Sequence, residues 1–160
     1  MSVGAENMPL SGEGSELRLM TQADLKQIAD IEAQAYPYPW TKGIFRDCLR
    51  VGYSCWVAII DSLVIGYGIV MLTEGEAHIL NICIKPEYQG KGLGRKMLNH
   101  LIEQAHITGT DMILLEVRRS NQLAIDLYMS EGFHELGVRN AYYPSADGRE
   151  DAIILAKYLG

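Results

Sequence analysis

The densest chemical signal in the chain is the segment Gln89-Gly90-Lys91-Gly92-Leu93-Gly94-Arg95. Its glycines alternate with other residues, so the backbone can turn tightly and present successive N–H groups with no Cβ in the way. A strand-like apolar run precedes it, and Leu93, Met97, Leu98, Leu101, Ile102 and Ala105 follow with helical spacing. Backbone donors together with the positive end of a helix form an anion cradle of the kind pyrophosphates occupy. Lys91 and Arg95 add positive charge at the same place. The segment is not a Walker A loop, because no Gly-Lys here is followed by Ser or Thr. It is not a Rossmann fingerprint either, since Gly90, Gly92 and Gly94 have the wrong final spacing. A glycine-rich turn that merely admits the helix would use the same residues.

Glu116 interrupts the apolar stretch Met112 to Val117, where a carboxylate is costly unless partnered or wet. Semi-burial raises a carboxyl group toward the range of a useful general base. The plain alternative is a strand-end glutamate paired with Arg118 or Arg119. Tyr128 is a phenol that stays protonated at neutral pH and can yield a proton; at its spacing from Ala124 it also suits a core. Cys83 alternates within an apolar strand and has no His beside it in sequence, so packing outweighs a nucleophile's role. Pro37-Tyr38-Pro39-Trp40 and Tyr142-Tyr143-Pro144 are stiff aromatic loops, fit to wall a substrate or simply to pack.

The elements that must hold these residues follow from periodicity and punctuation. Leu17 and Leu19 begin a first strand; Thr21 caps a helix that runs to a stop at Pro37; Thr41 caps a second, short one. Cys55–Ile60 and Leu63–Leu72 are apolar runs separated by Asp61-Ser62, a hairpin signal, and Ala77–Ile84 is a third such strand. Pro86 ends it, and Glu87–Gly92 is a loop before the helix that Gly109 terminates. Met112–Val117 reads as a buried strand and Asn121–Glu131 as a helix. Phe133–Val138 and Ala152–Tyr158 close the chain as strands, with Asn140–Asp151 a loop between them. The order implies an α/β mixed sheet with helices on both faces.

A chain of 160 residues, 48% apolar and 21% charged, suits one domain with a real core. Residues 1–16 read as a flexible tail without signal-peptide features, and 17–160 as the domain. The net charge of −6 with no basic tract argues against nucleic-acid binding. The longest apolar run, Cys55–Ile60, is too short to cross a membrane. Three scattered cysteines without a CxxC pair point to a reduced, cytoplasmic setting, and the four histidines show no metal-ligand spacing.

The pattern of Gln89, Gly92 and Gly94 opening a helix after a strand resembles the acetyl-CoA loop of the GNAT N-acetyltransferases, and the resemblance extends from Leu17 to Leu159. Within that superfamily the chain looks most like the RimI-type ribosomal-protein alanine N-acetyltransferases. Leu80–Ile84, Leu115–Arg118 with Asn121 and Leu127-Tyr128, and above all Tyr142-Tyr143-Pro144 with Asp147–Ala152 carry that likeness. It departs at Ala141, where the family usually places Asn.

The resemblance implies a single GNAT-type domain, a mostly antiparallel sheet of about seven strands flanked by four helices. It implies acetyl-CoA as co-substrate, no metal, and direct transfer to the N-terminal alanine of a small-subunit ribosomal protein. Glu116 is then the base, through water, and Tyr128 the acid for the leaving thiolate. The loop residues Gln89 to Arg95, the backbone of Ile82, Cys83 and Ile84 at a bulge, and Asn121 hold the CoA. Tyr38, Trp40, Tyr142 and Tyr143 clamp the acceptor. The competing readings are an enzyme acting on small amines or on other protein N-termini, and a non-catalytic acyl-CoA-binding module.

Overall fold

The computed structural model describes residues 14–160, so most of the expected N-terminal tail, residues 1–13, lies outside the described residues. The chain divides into two compact units: one extends to Ile69 and includes Asn81–Leu101, the other comprises Val70–Leu80 and Ile102–Gly160. Among the described residues seven strands form one sheet in the order β1-β2-β3-β4-β5-β7-β6, and four α-helices accompany them.

In the first unit, β1 (Glu16–Leu19) pairs antiparallel with β2 (Ser54–Ile60). Between them, Thr21 and Asp24 form a capping box over a 3₁₀ turn, Gln22–Asp24, which leads into α1 (Leu25–Ala35). Arg18 grips Asp24 with two hydrogen bonds of 2.8 Å. The Thr41 hydroxyl accepts from the Ile44 N–H at the start of α2 (Lys42–Val51). Asp61 and Ser62, with φ of 51° and 66°, make the tight turn from β2 into β3 (Leu63–Leu72). β4 (Glu76–Ile84), which belongs to this unit from Asn81 on, precedes a 3₁₀ turn at Pro86–Tyr88, where the sequence suggested plain loop, and then α3 (Leu93–Ile107), which belongs to it as far as Leu101. Ile28, Phe45, Ile65, Tyr67 and Met97 are almost wholly buried. Each apolar side chain so buried contributes roughly 1.5–3 kcal/mol. Cys48, Cys55 and Cys83 are buried and unbridged.

In the second unit, β4 pairs in parallel with β5 (Met112–Arg118) from Glu76↔Met112 to Ile79↔Leu115. α4 (Gln122–Ser130) follows, with Asn121 as its cap rather than its first residue. The expected loop Asn140–Asp151 is mostly strand. β6 (His134–Ser145) and β7 (Gly148–Tyr158) form a long hairpin turning at Ala146-Asp147. Register shifts between Glu135/Gly137 and Arg139/Tyr143 break the alternation a sequence pattern relies on. β5 alternates cleanly: Ile113, Leu115 and Val117 face the core, which turns Glu116 to the other face.

Candidate active site

The glycine-rich loop lies in the first unit. Gly90 and Gly92 hold φ of 80° and 81°, a left-handed backbone that other residues adopt at a cost. A Cβ at Gly90 would meet nothing within 4 Å, so the backbone angle, not crowding, calls for glycine there. The Lys96 N–H bonds to the Gly92 carbonyl at 3.0 Å and closes the first turn of α3. By helix geometry the first-turn amides, from Leu93, Gly94 and Arg95, point out along the axis. The Gln89 side-chain amide donates to the Ile84 carbonyl at 2.9 Å, tying the loop to the end of β4. The Lys91 ammonium stands 5.5 Å from the centre of the Tyr88 ring. These residues fit a pyrophosphate: backbone donors, a helix start and two cationic side chains in one loop.

On β4, Ile82 and Ile84 offer carbonyls that are already used: Tyr36 Oη donates to the Ile82 oxygen at 3.3 Å, as Gln89 does to Ile84. Burial pushes the Cys83 thiol up to about 11, which suits packing and not a thiolate nucleophile.

Sequence reasoning missed Glu32. It is 3% exposed on α1 and accepts from the Trp40 N–H at 2.9 Å, the Asn81 amide at 3.0 Å and the Tyr67 hydroxyl. The signal was present: Glu32 stands four residues after Ile28, on the buried stripe of an amphipathic helix. The Trp40 ring packs on Phe45 at 5.3 Å, while Tyr38 is largely exposed.

The second unit gathers Glu116 with partners far from it in sequence. Its side chain is 14% exposed, with His78 Nε2 at 3.3 Å and Arg139 at 3.1 Å. His78 sits opposite Leu114 in the β4–β5 ladder, so Glu116, two residues on, shares its face. The anticipated partners are engaged elsewhere: Arg118 with Glu150 at 3.1 Å and Arg119 with Asp151 at 3.5 Å. The carboxylate is thus partnered, by groups the sequence did not mark.

Tyr142 and Tyr143 belong to the same cluster. The Arg139 guanidinium lies 4.1 Å from the Tyr142 ring centre and that of Arg118 lies 4.6 Å from Tyr143. Burial, and then the nearby Glu116 charge, push the Tyr143 phenol up to about 12. Before them Ala141 holds φ of 51°, kept there by its N–H to Asp151 and by Arg149 on its carbonyl. Asn tolerates this backbone region better than Ala, which gives the usual family residue a physical reason.

Tyr128 is buried on α4, its ring tilted against Phe133 at 5.8 Å. Asn121 caps α4 by accepting from the Ala124 N–H at 3.3 Å. Among the described residues no group of three His, Cys, Asp or Glu is placed to hold a metal ion, and no helix is long and apolar enough to cross a membrane.

A model of the acetyltransferase (GNAT) family matches residues 25–133. The chain is 40% identical over 133 residues to the [ribosomal protein bS18]-alanine N-acetyltransferase of Escherichia coli strain K12, covering 83% of this chain and 90% of that protein. The crystal structure of the ribosomal-protein-S18-alanine N-acetyltransferase from Escherichia coli superposes with a TM-score of 0.86 at 36% identity, covering 91% of this chain and 94% of the other. Arabidopsis thaliana Naa50, in complex with the bisubstrate analogue CoA-Ac-MVNAL, shares the fold with a TM-score of 0.80 at 21% identity, covering 91% of this chain and 99% of that one.

Proposed function

The chain belongs to the acetyltransferase (GNAT) family, and from that premise we propose that it acetylates the N-terminal alanine of ribosomal protein bS18, using acetyl-CoA. The observation that carries the reading is the 40% identity, over 83% of the chain, to an enzyme of that activity. The double tyrosine beside Glu116 supports it further. Residues 17–160 form the catalytic domain on this reading, and a ribosomal substrate puts the enzyme in the cytoplasm.

Bound acetyl-CoA supplies an activated thioester. The amides of Gly90 to Arg95 and the charges of Lys91 and Arg95 hold its pyrophosphate, with Gln89 fixing the loop. The backbone of Ile82, Cys83 and Ile84, which lie outside the β4–β5 ladder as it is paired, and the Asn121 side chain hold its arm. An α-amino group of pKa ~8 is largely protonated at neutral pH, so it must lose a proton before attack. Glu116 accepts that proton through water, and Arg139 and His78 orient its carboxylate. Tyr128 gives its phenolic proton to the departing thiolate. Tyr38 and Trp40 in the first unit, and Tyr142 and Tyr143 in the second, are the aromatic residues this reading assigns to the acceptor peptide.

The test is a set of N-terminal hexapeptides and a panel of free small amines, each incubated with acetyl-CoA and read by mass gain. Acetylation of the alanine peptide of bS18 ahead of other N-termini and of every free amine is the expected result. Preference for a small amine would overturn the reading. Replacing Glu116 with Gln should then lower kcat/KM by roughly 10² to 10⁴, with a smaller loss at pH 9.5 than at pH 7.

A further inference from the structure

Glu32 is an expensive residue to bury, and packing alone does not explain it: Leu or Met would fill the same space on α1 without a charge to satisfy. The carboxylate uses both oxygens. Oε2 accepts from the Trp40 main-chain N–H at 2.9 Å, and Oε1 accepts from Asn81 at 3.0 Å and from the Tyr67 hydroxyl. The contacts close on themselves, because the Trp40 ring packs on Phe45 at 5.3 Å and Phe45 meets the edge of Tyr67 at 5.3 Å. One buried group therefore fastens a loop by its backbone, while an aromatic chain fastens the same loop by its side chain. Trp40 sits at the end of Pro37–Trp40, and two residues before it Tyr38 is 45% exposed.

We propose that Glu32 is a positioning residue for acceptor specificity, pinning the Tyr38–Trp40 loop to Tyr67 on β3 and Asn81 on β4 so that the loop meets the incoming peptide preformed. The proposal rests on the acetyltransfer reading for its substrate, but the hold on the loop can be measured without catalysis. A preformed loop does not have to be ordered by the peptide, and that ordering cost would otherwise appear as weaker peptide binding. The Glu32 carboxylate bonds Trp40, Tyr67 and the Asn81 side chain, and neither the glycine-rich loop nor the backbone of Ile82–Ile84, so acetyl-CoA affinity should be untouched.

Glu32→Leu should raise the peptide KM about tenfold or more, the equivalent of losing one hydrogen bond to a charged acceptor. The acetyl-CoA Kd, by calorimetry, should not move. Glu32→Gln should still hold the loop, because its carbonyl accepts from Trp40 while its NH₂ donates to the Tyr67 oxygen and, once the Asn81 amide turns over, to the Asn81 oxygen. The chain has two tryptophans, so a Trp56→Phe background leaves Trp40 as the only emitter. In it, Glu32→Leu should red-shift the emission and admit more acrylamide quenching, and Glu32→Gln should do neither. If Glu32→Leu does not fold, Glu32→Asp withdraws the carboxylate by one methylene and should move both readouts the same way. A folded Leu or Asp variant with unchanged emission and peptide KM overturns the proposal, as does a parallel rise in acetyl-CoA Kd. A wild-type protein that acetylates no peptide sinks the acetyltransfer reading instead, and the emission still decides whether Glu32 holds the loop.

Discussion

Two glycines on β3, Gly66 and Gly68, invite the same substitution with opposite expected outcomes. A Cβ built on Gly66 lies 2.8 Å from the Cys83 carbonyl oxygen and 2.6 Å from Ile84 Cδ1. A Cβ on Gly68 lies equally close to its neighbours, 2.7 Å from Met97 Cγ and 2.8 Å from Sδ. The difference is what must yield. Met97 has rotatable bonds and a soft thioether, so it can swing away. The Cys83 carbonyl belongs to the backbone of β4 and moves only with the strand. Overpacking a core costs about 1–3 kcal/mol, offset by about 0.4–1 kcal/mol from a stiffer unfolded chain. Gly66→Ala should then lose about 2 kcal/mol and Gly68→Ala less than about 1 kcal/mol. At about 2–4 °C per kcal/mol for a chain of this size, Tm should fall by about 4–8 °C for the first. The displaced segment is the one assigned to the acetyl-CoA arm, so Gly66→Ala should also weaken acetyl-CoA binding in calorimetry, whereas Gly68→Ala should not. An unchanged Tm for Gly66→Ala, or a larger loss for Gly68→Ala, would refute the reasoning.

Tyr128→Phe keeps the ring against Phe133 and removes one hydroxyl; kcat should fall about 10² or more, with partial recovery when the thioester's leaving thiol is made more acidic. Equal turnover by the variant would make Tyr128 a core residue only. Ala141→Gly relieves a φ of 51°, and urea unfolding should show a gain of about 0.5–1 kcal/mol after the added freedom of the unfolded chain; a loss would mean the angle carries no strain. The hydrogen bonds from Arg18 hold the Asp24 carboxyl below its ordinary value, against the opposing effect of burial. Its contribution is therefore present above the unfolded value near pH ~4 and is lost as pH falls through the folded one. The stability deficit of Asp24→Asn, measured by urea at pH 7 and pH 3, should shrink at the lower pH.

Periodicity and punctuation located all four helices and the central strands, because those segments declare their buried face. The stripe Leu93, Met97, Leu98, Leu101 is α3, and the run Leu63–Leu72 has the bounds of β3. Both strands of the β6–β7 hairpin were read, but its outer part, residues 139–151, was not, since residues 139–142 are exposed and the register shift between Arg139 and Tyr143 spoils alternation. The loop at Gly90 and Gly92 was visible through glycine's need for unusual angles. The setting of Glu116 was not: His78 and Arg139 reach it across strand neighbours, and separation along the chain says nothing of that. Glu32 fell between the two cases. Its helical phase marked it as buried, but its three donors lie on a loop and two strands that only the fold assembles.

The buried thiols make the protein a clock for its own opening. Cys48, Cys55 and Cys83 all belong to the first compact unit, and the second contains none. Burial lifts the Cys83 thiol to about 11 and Cys55 to about 12. At pH 7 a thiol of about 11 is ionised in about one molecule in 10⁴, and it is screened from reagent besides. A maleimide concentrated enough to react before the chain recloses therefore labels the folded enzyme at the pace at which the first unit opens and exposes its cysteines. Mass spectrometry of partly labelled samples would show whether the three sites fill together or one at a time. The second unit stays silent in that experiment, so setting the labelling rate against the loss of far-UV ellipticity tells whether the two units unfold in one step.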